Sequence, residues 1–219
     1  MTSATAQDSP RWRRRPDERP DEILAAALDV FAERGLAGAR MDDIATKAGV
    51  SKGTLYLYFS GKEELFQEAI RDKVARILEG LASATPPGEP VQRLRSFMAA
   101  YWVHLRRPQF ANMYRLIMAE LQKFPELVRF YADEVSGRVI GLLTEIIRQG
   151  IEAGDFRSSD PAVTARMIVG ILVQHTIWSN RRELFPHIGD RTDEDLLDEA
   201  ETFVLSALLP PDAHRKAAQ

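Results

Sequence analysis

Apolar residues recur three and four positions apart along almost the whole chain, and this spacing predicts a protein built from helices. Ile23, Leu24, Ala27, Leu28 and Phe31 mark a first helix over about 21–34, which Gly35 is placed to stop. Met41, Ile44, Ala45 and Ala48 form the stripe of a second. Gly49 can take the left-handed conformation that ends a helix, and Val50 can pin the turn to the core. Ser51 is an N-cap candidate for a third helix, in which Leu55 and Phe59 are spaced to be core. Ser60-Gly-Lys-Glu63 reads as a capping box opening a long fourth helix, with a stripe from Leu65 to Leu81. The segment SATPPGEP at 83–90 breaks the pattern. Later stripes predict helices over about 94–105, 110–124, 126–152, 161–180 and 193–208. Pro125, Asp160-Pro161 and Thr192 stand at their boundaries. No alternating strand pattern and no repeat is present. The expected fold class is all-α, with about nine helices in a three-helix head and a larger helical body. The expected organisation is a disordered basic arm over 1–19, a head over 20–66, a body over 67–210 and a tail over 211–219.

Residues 41–59, MDDIATKAGVSKGTLYLYF, carry the most chemistry. Two short helices about a tight turn are the grammar of a helix-turn-helix, whose second helix presents its N-terminal residues to the DNA major groove. A turn between two core helices is the plainer alternative. It does not explain why the second helix begins with the small, polar and cationic run Ser51, Lys52, Gly53 and Thr54. Lys52 and Lys62 are candidate phosphate partners, as are the free N–H groups at the starts of the third and fourth helices. Gly53 lets backbone approach DNA, and Thr54 offers a hydroxyl and a methyl to a base edge. Leu57 can touch bases, while Tyr56 and Tyr58 can reach phosphates through their hydroxyls.

The run DDIATKAGVSKGTLYLYFSGKEELF, preceded by ILAAALDVFAERG, closely resembles the DNA-binding domain of the TetR family of bacterial transcription regulators. The resemblance spans about residues 20–70 with unbroken spacing. It is looser over FPELVRFYADEVSGRV and AGDFRSSDP, which look like effector domains of one branch of that family. It implies the same DNA-contacting roles for the residues above, an effector cavity in the body and a dimer formed by the last two helices. One position departs from the family habit. A Thr or Ser often precedes the second helix and caps it beside a phosphate; here Arg40 stands there, able to pair with phosphate directly.

Composition narrows the alternatives. Of 219 residues, 45% are hydrophobic and 28% charged, which suits a globular, soluble chain. There is no cysteine, so disulfides, thiolate metal sites and thiol nucleophiles are excluded. No apolar run approaches the ~20 residues that span a bilayer, and the N-terminal arginines precede no apolar signal segment. The expected location is cytoplasmic. The net charge of −3 is unusual for a DNA binder. Residues 1–62 hold ten Lys/Arg against nine Asp/Glu, so binding is expected through a small patch and not a broad basic surface. The cluster Arg11, Trp12, Arg13, Arg14 and Arg15 is either a solvated tail or an arm that touches DNA.

In the body, Met98, Tyr101, Trp102, Met113, Ile117, Tyr131, His175 and Trp178 are the candidate ligand-binding set. Any one of them reads equally well as core; together they supply the polar-tipped apolar wall of a small-molecule site. Ile168, Ile171, Leu172, Leu197, Ala200, Phe203 and Val204 are the candidate dimer interface, because the helix over 161–180 is apolar around too broad an arc to face one neighbour. The four histidines lack metal-ligand spacing, and no catalytic motif or cofactor signature is present, so neither metal, cofactor nor enzyme activity is expected. The function expected is a homodimeric, ligand-responsive transcriptional repressor on a palindromic operator of duplex DNA, released by a small-molecule effector and independent of membranes. Two alternatives stay open: an all-α carrier or enzyme with a structural helix pair, and a DNA-binding protein with no ligand response. Operator-specific binding separates the first; an effector response separates the second.

Overall fold

A computed structural model describes residues 19–210. The basic arm, with its arginine cluster, and the tail expected beyond 210 lie outside those residues. Ten α-helices follow in order: α1 Arg19–Gly38, α2 Met41–Lys47, α3 Lys52–Tyr58, α4 Lys62–Ala84, α5 Pro90–Leu105, α6 Pro108–Leu121, α7 Pro125–Phe130, α8 Gly137–Ala153, α9 Pro161–Ser179 and α10 Asp193–Leu208. Among the described residues there is no strand.

Local chemistry explains most of the boundaries. Prolines occupy the first turns of α5, α6, α7 and α9, where the missing N–H costs nothing. Asp160 caps α9 by accepting from the N–H groups of Ala162 and Val163. Thr192 and Asp195 form a reciprocal capping box at α10. α8 ends on Gly154 in the left-handed region, and Asp155 and Phe156 donate back to the Gly150 carbonyl.

Gly35 interrupts α1 where the spacing predicts, at φ 69° and ψ 169°, and helix resumes beyond it to Gly38. Two expectations are corrected. The cap before α4 uses Glu64 and not Glu63, because Glu64 Oε2 accepts from both the N–H (2.7 Å) and the hydroxyl (2.5 Å) of Ser60. The helix expected over 126–152 is interrupted by a π-helical stretch, Tyr131–Ser136, which joins α7 to α8. Ser136 Oγ donates within that stretch to the Tyr131 carbonyl, at 3.3 Å.

Two apolar cores hold the chain together. The first combines α5, α8, α9 and α10 with Leu81 of α4. The second combines α1 to α4 with Leu116 and Ile117 of α6 and Leu127 and Phe130 of α7. Phe31 and Phe66 meet edge to face within it at 5.3 Å. The head-side core therefore reaches into helices that sequence spacing assigns to the body. Glu120, at the end of α6, is buried against the α1 kink, where a Cβ on Gly35 would lie 2.9 Å from its Oε1.

Gly35 is thus required by a backbone conformation open only to glycine, and a Cβ there would also press on the Glu120 carboxylate. Gly35→Ala should destabilise the protein by about 1–3 kcal/mol in chemical denaturation. Gly38→Ala, where the new Cβ meets only the Arg34 Cβ at an ordinary 3.6 Å, should change stability by less than about 0.5 kcal/mol. Equal effects at the two positions would refute the kink as a constraint.

Candidate nucleic-acid interface and inner cavity

The turn between α2 and α3 is closed by backbone geometry. Gly49 takes φ 65°; its N–H donates to the Thr46 carbonyl at 3.2 Å, and the Val50 N–H donates to the Ala45 carbonyl at 3.0 Å. That double bond is the Schellman ending, and it aims the chain straight into the next cap. Ser51 Oγ accepts from the Thr54 N–H at 3.0 Å and shares a hydrogen bond with Thr54 Oγ1 at 2.7 Å. Leu55 and Phe59 are buried, which turns Tyr56, Leu57 and Tyr58 outward. Leu57 is 84% exposed. Nothing in folding accounts for a leucine held in water between two exposed tyrosines.

Charges around this unit are mostly paired. Lys52 bonds Asp42 at 2.7 Å, and the bond raises the Lys52 ammonium above its ordinary value. Arg34 pairs with Asp43, and Lys47 with Glu33 and Asp29. Arg40 is exposed at the α2 N-cap, makes no side-chain cap and has no ion-pair partner among the described residues. The Lys62 ammonium donates to the carbonyls of Ala37 (2.9 Å) and Ala39 (3.3 Å), so it stitches the end of α1 to the start of α4. Gly53 lies exposed beside the Ser51 cap.

In the body a cavity of about 60 Å³ lies between α4, α5, α6, the π-helical stretch, α8 and α9. Of the eight expected ligand residues, Tyr101, Met113, Ile117 and Tyr131 line it. Met98 and Trp102 are core side chains of the α5 packing and do not line it. His175 and Trp178 stand instead in an aromatic cluster in which Trp178 stacks on Phe185 at 5.5 Å and meets His187 edge-on at 5.6 Å. Spacing alone could not separate these cases, because a cavity wall and a core share one helical period. It also missed Val74, Ile77, Val139, Val169 and Val173, whose compact side chains leave the space open.

The cavity's polar groups are tuned by burial. Tyr131 is pushed up to about 12 by burial and the nearby Tyr114, and Tyr101 rises for the same reasons. His104 lines the wall, and its Nε2 is buried without a hydrogen-bond partner. Burial, and then the positive charge of Arg107, lower it to about 4. It is neutral near pH 7.

The candidate dimer residues divide in the same way. Ile168, Leu172, Ala200 and Val204 are buried within the chain's own core and do not reach its surface. Ile171 and Leu197 pack partly against that core. Phe203 remains 62% exposed, and so do Met167 (63%) and Val163 (37%).

The comparisons with known proteins match this layout. The pattern of "Bacterial regulatory proteins, tetR family" matches residues 23–69, which enclose the turn and both its helices. The pattern "AefR-like transcriptional repressor, C-terminal domain" matches residues 92–207. The chain belongs to the TetR family. The HTH-type transcriptional repressor KstR2 of Mycolicibacterium smegmatis is 31% identical over 157 residues, 69% of this chain and 73% of that protein. The HTH-type transcriptional repressor NicS of Pseudomonas putida is 28% identical over 212 residues, 93% of each chain. The flavonoid-responsive regulator FrrA has the same fold at a TM-score of 0.69 and 27% identity, over 89% of this chain and 99% of that one. This TetR-family chain is a DNA-binding transcriptional regulator. Among the described residues no helix is long and apolar enough to cross a membrane.

His104 carries a pH signature. The unfolded histidine accepts a proton near pH 6.5, whereas the folded one resists until about 4. Between those values the unfolded state binds more protons, so stability falls as pH falls. His104→Gln should remove this part of the loss, measured as the change in unfolding midpoint between pH 6.5 and 4. An identical pH profile in the variant would refute a neutral, desolvated His104.

Proposed function

We propose that the protein is a homodimeric repressor that reads a palindromic operator through α3 and is released by a small molecule held in the body. The observation that carries the reading is the outward face of α3, where Leu57 stands in water between Tyr56 and Tyr58 beside a capped, cationic helix start. A side chain of this kind serves a base edge or a thymine methyl in the major groove. KstR2 and NicS are both named as transcriptional repressors, which supports the sign of regulation. The name of FrrA supports a response to a small molecule. Action on DNA makes the cytoplasm the expected location.

In this reading Ser51, Gly53 and Thr54 bring the start of α3 to the groove, and Lys52, Arg40, Tyr56 and Tyr58 meet phosphates. Lys62 serves the fold first. Lys52→Ala should weaken binding about equally on all sequences and lower the slope of log affinity against log salt by about 1. Asp42→Asn frees Lys52 and should strengthen binding on all sequences. Thr54→Ala should instead change the preference at one base position by about 1–3 kcal/mol. Selection of bound sequences from random duplex DNA, followed by salt titrations, measures all three. Unchanged affinity and preference throughout would remove α3 from the groove.

The exposed Val163, Met167 and Phe203 support a two-fold pairing of α9 and α10 with their copies into a four-helix bundle. Two heads then reach half-sites about 34–36 Å apart. Phe203→Glu places a charge on both sides of the dyad. It should weaken dimerisation at least a hundredfold in analytical ultracentrifugation and abolish tight operator binding, while helix content by circular dichroism is retained. A wild type that stays monomeric at operator-saturating concentrations would overturn the pairing.

A further inference from the structure

A second space adjoins the inner cavity. A cleft of about 650 Å³ lies between α1 of the head, α4, the end of α5 and the start of α6. It shares Ile77, His104, Phe110 and Met113 with the cavity, so those four side chains form a neck that borders both spaces. The neck is apolar apart from the His104 imidazole, whose Nε2 is buried with no hydrogen-bond partner in the protein. A neutral imidazole there can donate or accept one hydrogen bond.

The cleft differs from the neck in charge. Lys73, Arg76 and Arg107 line it, against the single carboxylate of Asp29. Arg76 is bound to Asp21 and Asp72, and Asp29 faces Lys47. Lys73 and Arg107 have no ion-pair partner among the described residues. Two cations left facing one cleft repel each other and attract an anion. The two adjoining spaces therefore have one cationic end and one apolar end.

We propose that together they bind a small amphipathic anion, its apolar chain passing the neck into the cavity and its carboxylate or phosphate held in the cleft by Lys73 and Arg107. This deepens the ligand-responsive reading and rests on it. His104 Nε2 then meets a polar atom of the chain's first bonds. The occupant also touches Leu28 and Asp29 of α1 and Met113 of α6, so it lies directly between the head and the body and acts on operator binding without a relay. A free acid and its coenzyme A thioester share this chemistry, since both join an acyl chain to a negative group.

The test uses the full chain and three ten-carbon probes: decanoate, decan-1-ol and decanoyl-coenzyme A. Affinities come from calorimetric titration, and operator release is followed in parallel. Decanoate or its thioester should bind at least tenfold tighter than decan-1-ol. The preference should fall below threefold in the Lys73→Ala, Arg107→Ala double variant, whose melting temperature serves as the folding control. Tighter binding of the thioester than of decanoate assigns the anion to phosphates, and the reverse assigns it to the carboxylate; both support the proposal. Binding of the alcohol as tight as that of both anionic probes, a preference unchanged in the double variant, or no binding of any probe overturns it. Operator affinity without probe separates the two failures. If it is intact, only the ligand class falls; if no duplex sequence is preferred, the regulator reading falls as well.

Discussion

Leu116 and Ile117 of α6 lie in the same apolar core as Phe31 of α1 and Phe66 of α4. Leu127 and Phe130 join them from α7, and Arg71 of α4 sits over the Phe130 ring at 5.1 Å. Burial of a side chain of this size contributes about 1.5–3 kcal/mol, so detaching the head from these four residues would cost a large part of a typical folding free energy. The head cannot swing freely on a hinge at α4. Any movement of the head must repack this shared core, as helix shifts do at packed interfaces. Ile117 also lines the cavity, so a single side chain belongs to the head's core and to the cavity wall. In the ligand-responsive reading proposed above, a molecule there competes for that packing, and its effect is limited to its differential affinity for the packings involved.

The charge pattern of the head follows a related economy. A nearly neutral head could not attract DNA if its ion pairs were rigid and buried. They are not: Lys52–Asp42, Arg34–Asp43 and Lys47–Glu33 all lie at the surface. Such pairs contribute at most about 1 kcal/mol, so exchanging Asp42 for a phosphate costs little. In the proposed docking of α3, only cations placed by α2 and α3 make the exchange, which ties affinity to geometry more than to net charge.

Sequence pattern made some of this legible and hid the rest for physical reasons. The Gly49 turn, the Ser51 cap, the Asp160-Pro161 start and the Thr192 box are local, and local chemistry needs only neighbouring residues. The all-α class and the helical order follow from periodicity for the same reason. The shift of the α4 cap from Glu63 to Glu64 turns on one residue of backbone phase, since both spacings offer a carboxylate. The π-helical stretch at Tyr131–Ser136 leaves apolar spacing almost unchanged over so short a run. The division of Ile168, Leu172, Ala200 and Val204 from Phe203 and Met167 was hidden more deeply. α9 is apolar on every side, so its sequence cannot say which arc meets α8 and which is left in water. The cavity was hidden most of all, because its wall is assembled from helices far apart in sequence and none of them shows the opening alone.

The same cavity holds the least economical atom of the body. A desolvated nitrogen without a partner costs about 1–3 kcal/mol, and His104 Nε2 is in that position. Its low proton affinity shows that adding a proton would be worse, since Arg107 stands beside it. A well-packed core would place leucine or phenylalanine there. A hydrogen-bonding atom that enters the neck offsets that cost. The neck borders α1, α4 and α6 at once, so a polar contact made there falls where head and body share their core.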